Sequence, residues 1–178
     1  MHYRHAIASS LFLFASAAAA WENIDSFNAL DCAINNPNCY ILDVRTPEEY
    51  RWVGHPGADK TGYGAELEGK VVNLPWEQVR LNKLVENPFF NAYARYYFGA
   101  DKKNVVLVTM CRSGSRSAKA ATALEALGFT VYNMQHGFEG DSDALGYRTL
   151  NGWKMDGLPY NTKWDFYYPD IRPVRPAR

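Results

Sequence analysis

The stretch VVLVTMCRSGSRSAKAATALEALGF, residues 105–129, joins three patterns that together indicate the fold. Five of its first six residues are apolar and four are β-branched, which is typical of a short parallel strand buried on both faces. From residue 117 the apolar residues follow a helical spacing, and Gly128 is a typical helix stop. The loop between strand and helix carries one cysteine and two arginines. In parallel sheets such loops form the site beyond the carboxyl ends of the strands.

Short apolar runs alternate with helical patterns along most of the remaining chain. Strands are predicted in residues 39–44, 71–76, 104–110 and 129–134, and helices in 24–34, 45–50, 77–85, 87–98, 117–128 and 153–160. The glycine-rich segments 53–70 and 135–152 are predicted to be loops. This alternation predicts an α/β fold with a central parallel β-sheet and helices on both faces.

The composition limits the class of protein and its location. The 178 residues suit a single domain, and 19 basic against 19 acidic residues lack the basic excess of a nucleic-acid binder. Residues 1–20 have positive charge followed by an apolar centre ending in small residues, which predicts a signal peptide and export to the periplasm. A buried N-terminal helix is the alternative. No apolar run reaches about 20 residues, so no stable membrane insertion is expected. The domain is predicted at 21–162, with an extended proline- and arginine-containing tail at 163–178.

The chain has three cysteines: Cys32, Cys39 and Cys111. Export permits disulfides, and an odd number leaves one thiol unpaired. The turn-forming residues AINNPN separate the first two cysteines, so we predict a Cys32–Cys39 disulfide and a free Cys111. The alternative is that Cys32 and Cys39 are ordinary small core residues. No clustered His/Cys pattern indicates zinc or haem, so no metal or cofactor is expected.

The loop CRSGSRS combines features that activate a thiol. It consists of Cys111, Arg112, Ser113, Gly114, Ser115, Arg116 and Ser117. Backbone N–H groups between a strand end and a helix start form an anion cradle, and the two guanidinium groups add positive charge. Both effects favour a thiolate, so the loop predicts a nucleophilic cysteine with a seat for an anion. An inert structural cysteine is the alternative, but it needs no cationic loop.

This loop and three other stretches resemble the rhodanese-like sulfurtransferases. The other stretches are ILDVRTPEEY, GHPGA, and GFEGD followed by NGWKMDGLPY, so the resemblance covers about residues 24–161 as a single rhodanese-like domain. Two segments depart from the family pattern. Residues 59–70 enlarge one loop and residues 141–150 split the closing motif, and both are expected to flank the pocket.

The resemblance implies a mechanism. Cys111 attacks the outer sulfur of thiosulfate or a persulfide donor, becomes a persulfide, and passes the sulfur to a thiol or protein acceptor. Arg112 and Arg116 hold the small anionic donor. Asp43 and Arg45 support the loop: Asp43 is expected to accept hydrogen bonds from it or to pair with Arg116. Arg45 is expected to pair with Glu49. The only intermediate is the covalent persulfide, so no cofactor is implied.

Two other functions fit parts of the sequence. A sulfur carrier or binding module would load Cys111 once and hand the persulfide to a partner protein, with little turnover alone. A cysteine-dependent phosphatase or arsenate reductase is disfavoured, because phosphatases use C-x₅-R to hold a phosphoryl group. The spacing here is C-x₄-R, which makes a tighter bowl suited to a single sulfur atom.

Overall fold

A computed structural model describes residues 21–99 and 104–162; the predicted signal peptide and the predicted C-terminal tail lie outside these residues. The α-helices are α1 (Ser26–Asn35), α2 (Pro47–Trp52), α3 (Phe90–Phe98), α4 (Ser115–Ala126) and α5 (Gly152–Met155), and Ala65–Leu67 form a 3₁₀ helix. The strands are β1 (Glu22–Ile24), β2 (Cys39–Asp43), β3 (His55–Pro56), β4 (Val71–Asn73), β5 (Glu77–Arg80), β6 (Lys83–Glu86), β7 (Val106–Met110), β8 (Thr130–Met134), β9 (Asp141–Ser142), β10 (Arg148–Leu150) and β11 (Tyr160–Asn161). No helix of this part of the chain combines the length and the apolar character needed to cross a membrane.

The central sheet has five strands in the order β1-β8-β7-β2-β4, and every neighbouring pair is parallel. The predicted α/β fold is therefore confirmed. β2 and β7 pair from Cys39↔Val106 to Asp43↔Met110. Asp43 and Met110 are the last residues of these two strands and are paired. Cys111 therefore lies just beyond the carboxyl end of the sheet, next to the end of β2. The edge strand β1 was not predicted, since three residues carry no recognisable period.

Helices cover both faces of the sheet, as predicted, because β2 and β7 are buried on both sides. Tyr40 and Leu42 pack in one core with residues of α3 and α4. Cys39 and Ile41 pack in a second core with residues of α1, α5 and the 3₁₀ helix. The alternation along β2 follows from the two-residue period of a strand. This alternation places Asp43 on the same face as Cys39 and Ile41, which is covered by α1 and α5. Cys111 belongs to the core on the opposite face, which is covered by α3 and α4.

The predicted helix at 77–85 is wrong. Residues 77–86 form an antiparallel hairpin of β5 and β6, with register from Glu77↔Glu86 to Arg80↔Lys83. Leu81 and Asn82 connect the strands with φ of 49° and 59°, as a two-residue type I′ turn requires. The ends of the segment explain the outcome. The N–H of Asn87 donates to the carbonyl of Trp76 at 2.8 Å, whereas a helix between these two residues would hold them about 16 Å apart.

Two segments predicted as loops contain short strands. In the first, β3 pairs with β11 near the end of the domain, from Tyr160↔Pro56 to Asn161↔His55. In the second, β9 and β10 form a small hairpin within residues 141–150. Asp143 organises the turn of this hairpin, because its carboxylate accepts hydrogen bonds from three later residues between positions 145 and 149. Strands of two or three residues are too short to show a period in the sequence.

A disulfide joins Cys32 on α1 to Cys39 at the start of β2. Their Cα atoms are 5.8 Å apart, within the range of about 4.4–6.8 Å that the predicted bridge requires. The turn between them is closed by the N–H of Cys39, which donates to the carbonyl of Asn36 at 3.0 Å. The bridge ties α1 to β2, the neighbour of the central strand β7, and Cys111 remains a free, buried thiol.

Candidate active site

The Cys111 side chain lies at the base of a loop between β7 and α4 and is only 1% exposed. The N–H of Gly114 donates to its sulfur at 3.1 Å. The hydroxyl of Ser117 lies 3.4 Å from the sulfur and 3.0 Å from the carbonyl oxygen of Gly114. Because a hydroxyl has one proton, Ser117 donates to only one of these acceptors at a time. The loop therefore presents at least one fixed N–H dipole to the sulfur.

Two glycines allow the loop to curl this tightly. Gly114 has φ of 95°, and a Cβ there would overlap the carbonyl oxygen of Gln135. Gly137 has φ of 61°, and its Cβ would overlap the carbonyl oxygen of Cys111. The segment after β8 holds the loop from behind, since the N–H of Phe138 donates to the Cys111 carbonyl at 2.8 Å. Packing thus fixes the backbone around the sulfur before any ligand binds.

Helix α4 starts directly after the bend at Gly114 and spans 12 residues. The first N–H groups of a helix have no intrahelical acceptor, and they carry the positive end of the helix dipole. The cysteine precedes this helix start by four positions. The arrangement fits the anion cradle that the sequence predicts.

A pocket of about 360 Å³ opens above the thiol. It is formed by residues 111–117, which we call the active loop, and by the start of α2 and the β5–β6 hairpin. The lining residues are Thr46, Glu49, Val79, Leu84, Cys111, Arg112, Ser113, Ser115 and Arg116. Of the predicted loop residues, Gly114 and Ser117 contact the sulfur, and the others line the pocket. The segments 59–70 and 141–150 contribute no lining residue, so the expectation that they flank this pocket is wrong.

Arg116 pairs with Glu49, and not with Asp43, which was one of the two contacts expected for Asp43. Its two terminal nitrogens donate to the two carboxylate oxygens at 2.7 and 2.6 Å. Burial alone would raise the pKa of Glu49, but hydrogen bonds from Arg116 and from the Thr46 N–H outweigh it, and the pKa lies below the usual value. The pKa of Arg116 is raised, chiefly by the hydrogen bonds to Glu49. Both groups are therefore charged, and one carboxylate balances one of the two arginines.

Arg45 pairs with Asp43, not with Glu49 as predicted. The guanidinium donates to the Asp43 carboxylate at 2.6 Å and to the Gly54 carbonyl at 2.7 Å, and it lies over the Phe138 ring at 4.2 Å. Both charged side chains are fully buried on the α1 and α5 face of the sheet. Two residues apart at a strand end, they point to the same face, which is the face away from the thiol. Their contacts are those of a structural pair.

A second cavity, of about 470 Å³, lies beside the enlarged loop at 59–70 and is lined in part by Tyr50 and His55. The His55 ring stacks on Tyr50 with centroids 3.9 Å apart, and burial lowers the pKa of His55. No group of three or more His, Cys, Asp or Glu side chains in residues 21–99 and 104–162 is arranged to hold a metal ion.

Four lining residues were not predicted from the sequence: Thr46, Glu49, Val79 and Leu84. The position of Glu49 could have been predicted, because a Thr followed three residues later by a Glu indicates a capping box. Thr46 and Glu49 form that box at the start of α2, and it orients the Glu49 carboxylate. Val79 and Leu84 could not be predicted to line the pocket, because their segment was predicted to be a helix. Only the hairpin register makes them direct cross-strand neighbours on one face.

Similarity to known proteins identifies the family of this chain. Residues 26–144 match the model of the rhodanese-like domain family. Uncharacterised proteins of Rickettsia conorii (strain ATCC VR-613 / Malish 7) and Rickettsia montanensis are each 35% identical over 140 residues, covering 78% of this chain and 96% of theirs. The crystal structure of Rv0390 from M. tuberculosis is 32% identical with a TM-score of 0.66, covering 82% of this chain and 100% of that chain.

The polysulfide-sulfur transferase homodimer from Wolinella succinogenes shares the fold at 19% identity, with a TM-score of 0.54 and 85% of each chain covered. The match to the family model spans the Cys111 loop and most of the described domain. This chain therefore belongs to the rhodanese-like domain family.

Proposed function

We propose that this protein is a sulfurtransferase that moves sulfane sulfur through a persulfide on Cys111. The observation that supports it most directly is the setting of the thiol. Its sulfur lies at the base of a pocket, 3.1 Å from the N–H of Gly114, in a preformed loop at the start of α4. A nucleophile and a seat for negative charge therefore share one site.

In the first half-reaction, the Cys111 thiolate attacks the outer sulfur of thiosulfate or of a persulfide donor. With thiosulfate, a bond forms between Sγ and the outer sulfur while the sulfur–sulfur bond of the donor breaks. Its electron pair leaves with sulfite. The enzyme keeps a terminal sulfur that carries one negative charge. The Gly114 N–H and the start of α4 stabilise this charge.

In the second half-reaction, a thiophilic acceptor removes the terminal sulfur and restores the thiolate. The acceptor is a thiol, either small or on a protein, and cyanide serves in an assay. The two half-reactions share one site, which gives ping-pong kinetics. Arg112 and the paired Arg116 position the donor. We propose that the reaction takes place in the periplasm, on the basis of the signal-like residues 1–20.

Mass spectrometry of the intact protein tests this function. After incubation with thiosulfate, we expect the wild-type chain to gain the mass of one sulfur atom. The Cys111→Ser variant should gain none, and a Cys32→Ser/Cys39→Ser variant should still gain one. Repeated turnover with thiosulfate and cyanide supports an enzyme. Stoichiometric loading without turnover would favour the sulfur-carrier alternative, and no loading would reject both.

A further inference from the structure

One wall of the active-site pocket is apolar. Val79 on β5 and Leu84 on β6 are direct cross-strand partners, and both line the pocket that contains Cys111. They are 52% and 54% exposed. The side chains of such a pair stand on the same face within contact distance. The hairpin therefore presents a continuous apolar surface to whatever approaches the thiol.

The charge in the pocket is smaller than its two arginines indicate. Arg116 is neutralised by the Glu49 carboxylate, which is itself a pocket residue. Arg112 is exposed and forms no ion pair within residues 21–99 and 104–162. Apart from the nucleophile itself, the side chains that line the pocket thus have a net charge of about +1, and they attract a dianion less strongly than two free guanidinium groups would.

The pocket is also larger than a small inorganic anion needs. Its volume of about 360 Å³ falls within the range of about 300–1,000 Å³ that is usual for sites that bind organic molecules. Cyanide or thiosulfate would leave Val79 and Leu84 in contact with water. An organic group attached to the reacting sulfur would cover them and gain from the burial of apolar surface.

We propose that the acceptor of this enzyme is an organic thiol with an apolar body, which packs on Val79 and Leu84 while its sulfur reaches Cys111. The proposal rests on the sulfurtransferase function given above and specifies the substrate class of its second half-reaction. The acceptor thiolate attacks the terminal sulfur of the Cys111 persulfide. A new sulfur–sulfur bond forms on the acceptor, the bond to Sγ breaks, and its electron pair returns to Cys111 as the thiolate. One sulfur–sulfur bond forms as one breaks and a thiolate is exchanged for a thiolate, so no oxidant or reductant is required.

The test compares two acceptors that share a CH₂CH₂SH group, 2-phenylethanethiol and 2-mercaptoethanol. The protein is first loaded with sulfur from thiosulfate, and discharge is followed by intact mass and stopped-flow absorbance. We expect the wild-type kcat/KM for 2-phenylethanethiol to exceed that for 2-mercaptoethanol by about tenfold or more. In a Val79→Thr/Leu84→Thr variant, which keeps strand-forming residues, this ratio should fall about tenfold.

Matched variants separate recognition from hairpin stability. Leu81 lies at the hairpin tip, is 98% exposed and does not line the pocket, so Leu81→Asn should preserve the ratio. Val79→Ile/Leu84→Met keeps the wall apolar and should preserve it too. Circular dichroism confirms that each variant is folded. An unchanged ratio in the folded threonine variant, or a wild-type protein that shows no preference between these two thiols, excludes a small apolar thiol as the acceptor.

Two further acceptors distinguish a small thiol from a peptide thiol. They are short cysteine peptides with either leucine or serine on both sides of the cysteine. Faster discharge by the apolar member of either pair, lost in the threonine variant, supports the proposal and identifies the source. If Cys111 accepts sulfur and cyanide discharges it, but neither pair shows such a preference, the acceptor proposal alone fails. If Cys111 never gains sulfur, the sulfurtransferase function fails and the acceptor proposal with it.

Discussion

Glu49 and Arg116, 67 positions apart in the sequence, are joined by two hydrogen bonds of 2.6 and 2.7 Å that link the start of α2 to the start of α4. The same carboxylate accepts the N–H of Thr46 at 3.0 Å and so completes the cap of α2. The Glu49 side chain therefore helps to cap the start of α2, orients Arg116 in the active loop and lowers the net positive charge of the pocket.

This pair predicts a pH-dependent contribution to stability. The folded-state pKa of Glu49 lies below its usual value, so its stabilisation is complete above the unfolded pKa of about 4.3 and is lost as the pH falls through the lower folded pKa. At pH 7, Glu49→Gln should lower the free energy of unfolding by about 1–2 kcal/mol. The difference from wild type should shrink towards pH 3. Urea denaturation at several pH values measures it, and a difference independent of pH would contradict the assignment.

The same pair predicts opposite effects of two substitutions on donor choice. Glu49→Gln frees the charge of Arg116 and should raise kcat/KM for thiosulfate severalfold relative to an uncharged organic polysulfide. Arg116→Ala leaves Glu49 unbalanced in the pocket and should weaken the use of thiosulfate more than the use of the uncharged donor. Equal losses with both donors would mean that Arg116 shapes the loop and does not act on the charge of the donor.

Replacement of the nucleophile should separate chemistry from folding. Cys111→Ser removes the sulfur that receives the Gly114 N–H, but a serine hydroxyl fits the same space and can accept that hydrogen bond. Sulfur transfer should fall to background while the circular dichroism spectrum and the melting temperature stay close to wild type. Full activity in this variant would reject the persulfide mechanism.

The disulfide predicts both a thiol count and a stability effect. The unfolded, unreduced protein should contain one reactive thiol, that of Cys111, and three thiols would refute the bridge. Closing the short loop between Cys32 and Cys39 restricts the unfolded chain, so Cys32→Ser/Cys39→Ser should lower the free energy of unfolding by about 2–3 kcal/mol. Wild type under reducing conditions is the matched control and should show a similar loss.

The hairpin turn offers a stabilising substitution. Leu81 has φ of 49° and is 98% exposed, so it bears the cost of a left-handed backbone without gaining burial. Asparagine tolerates this conformation, and Leu81→Asn should raise the free energy of unfolding by about 0.5–1 kcal/mol. Thermal denaturation measures the change. Leu81→Val should destabilise by a comparable amount, because a β-branched side chain clashes more strongly at positive φ.

The sequence alone was sufficient for the strand–loop–helix unit around Cys111 and for the parallel sheet. These features depend on local patterns, such as the apolar run of β7, the helical spacing of α4 and the need for glycine at position 114, where φ is 95°. Local patterns remain readable because the backbone preferences and the burial that produce them act within a few residues.

The tertiary structure decided the partners of the charged residues and the nature of the pocket wall. From the sequence alone, several ion pairs are possible among two acids and two arginines: Asp43, Glu49, Arg45 and Arg116. The face of β2 on which Asp43 lies and the position of Glu49 at the start of α2 decide which pairs form. Likewise, the apolar spacing of residues 77–85 fits a helix. In the folded protein the hydrogen bond between Asn87 and Trp76 holds the two ends of this segment together, and the segment forms a hairpin. Pairings and registers of this kind depend on distances between residues far apart in the chain. Packing sets those distances, and a local pattern does not carry them.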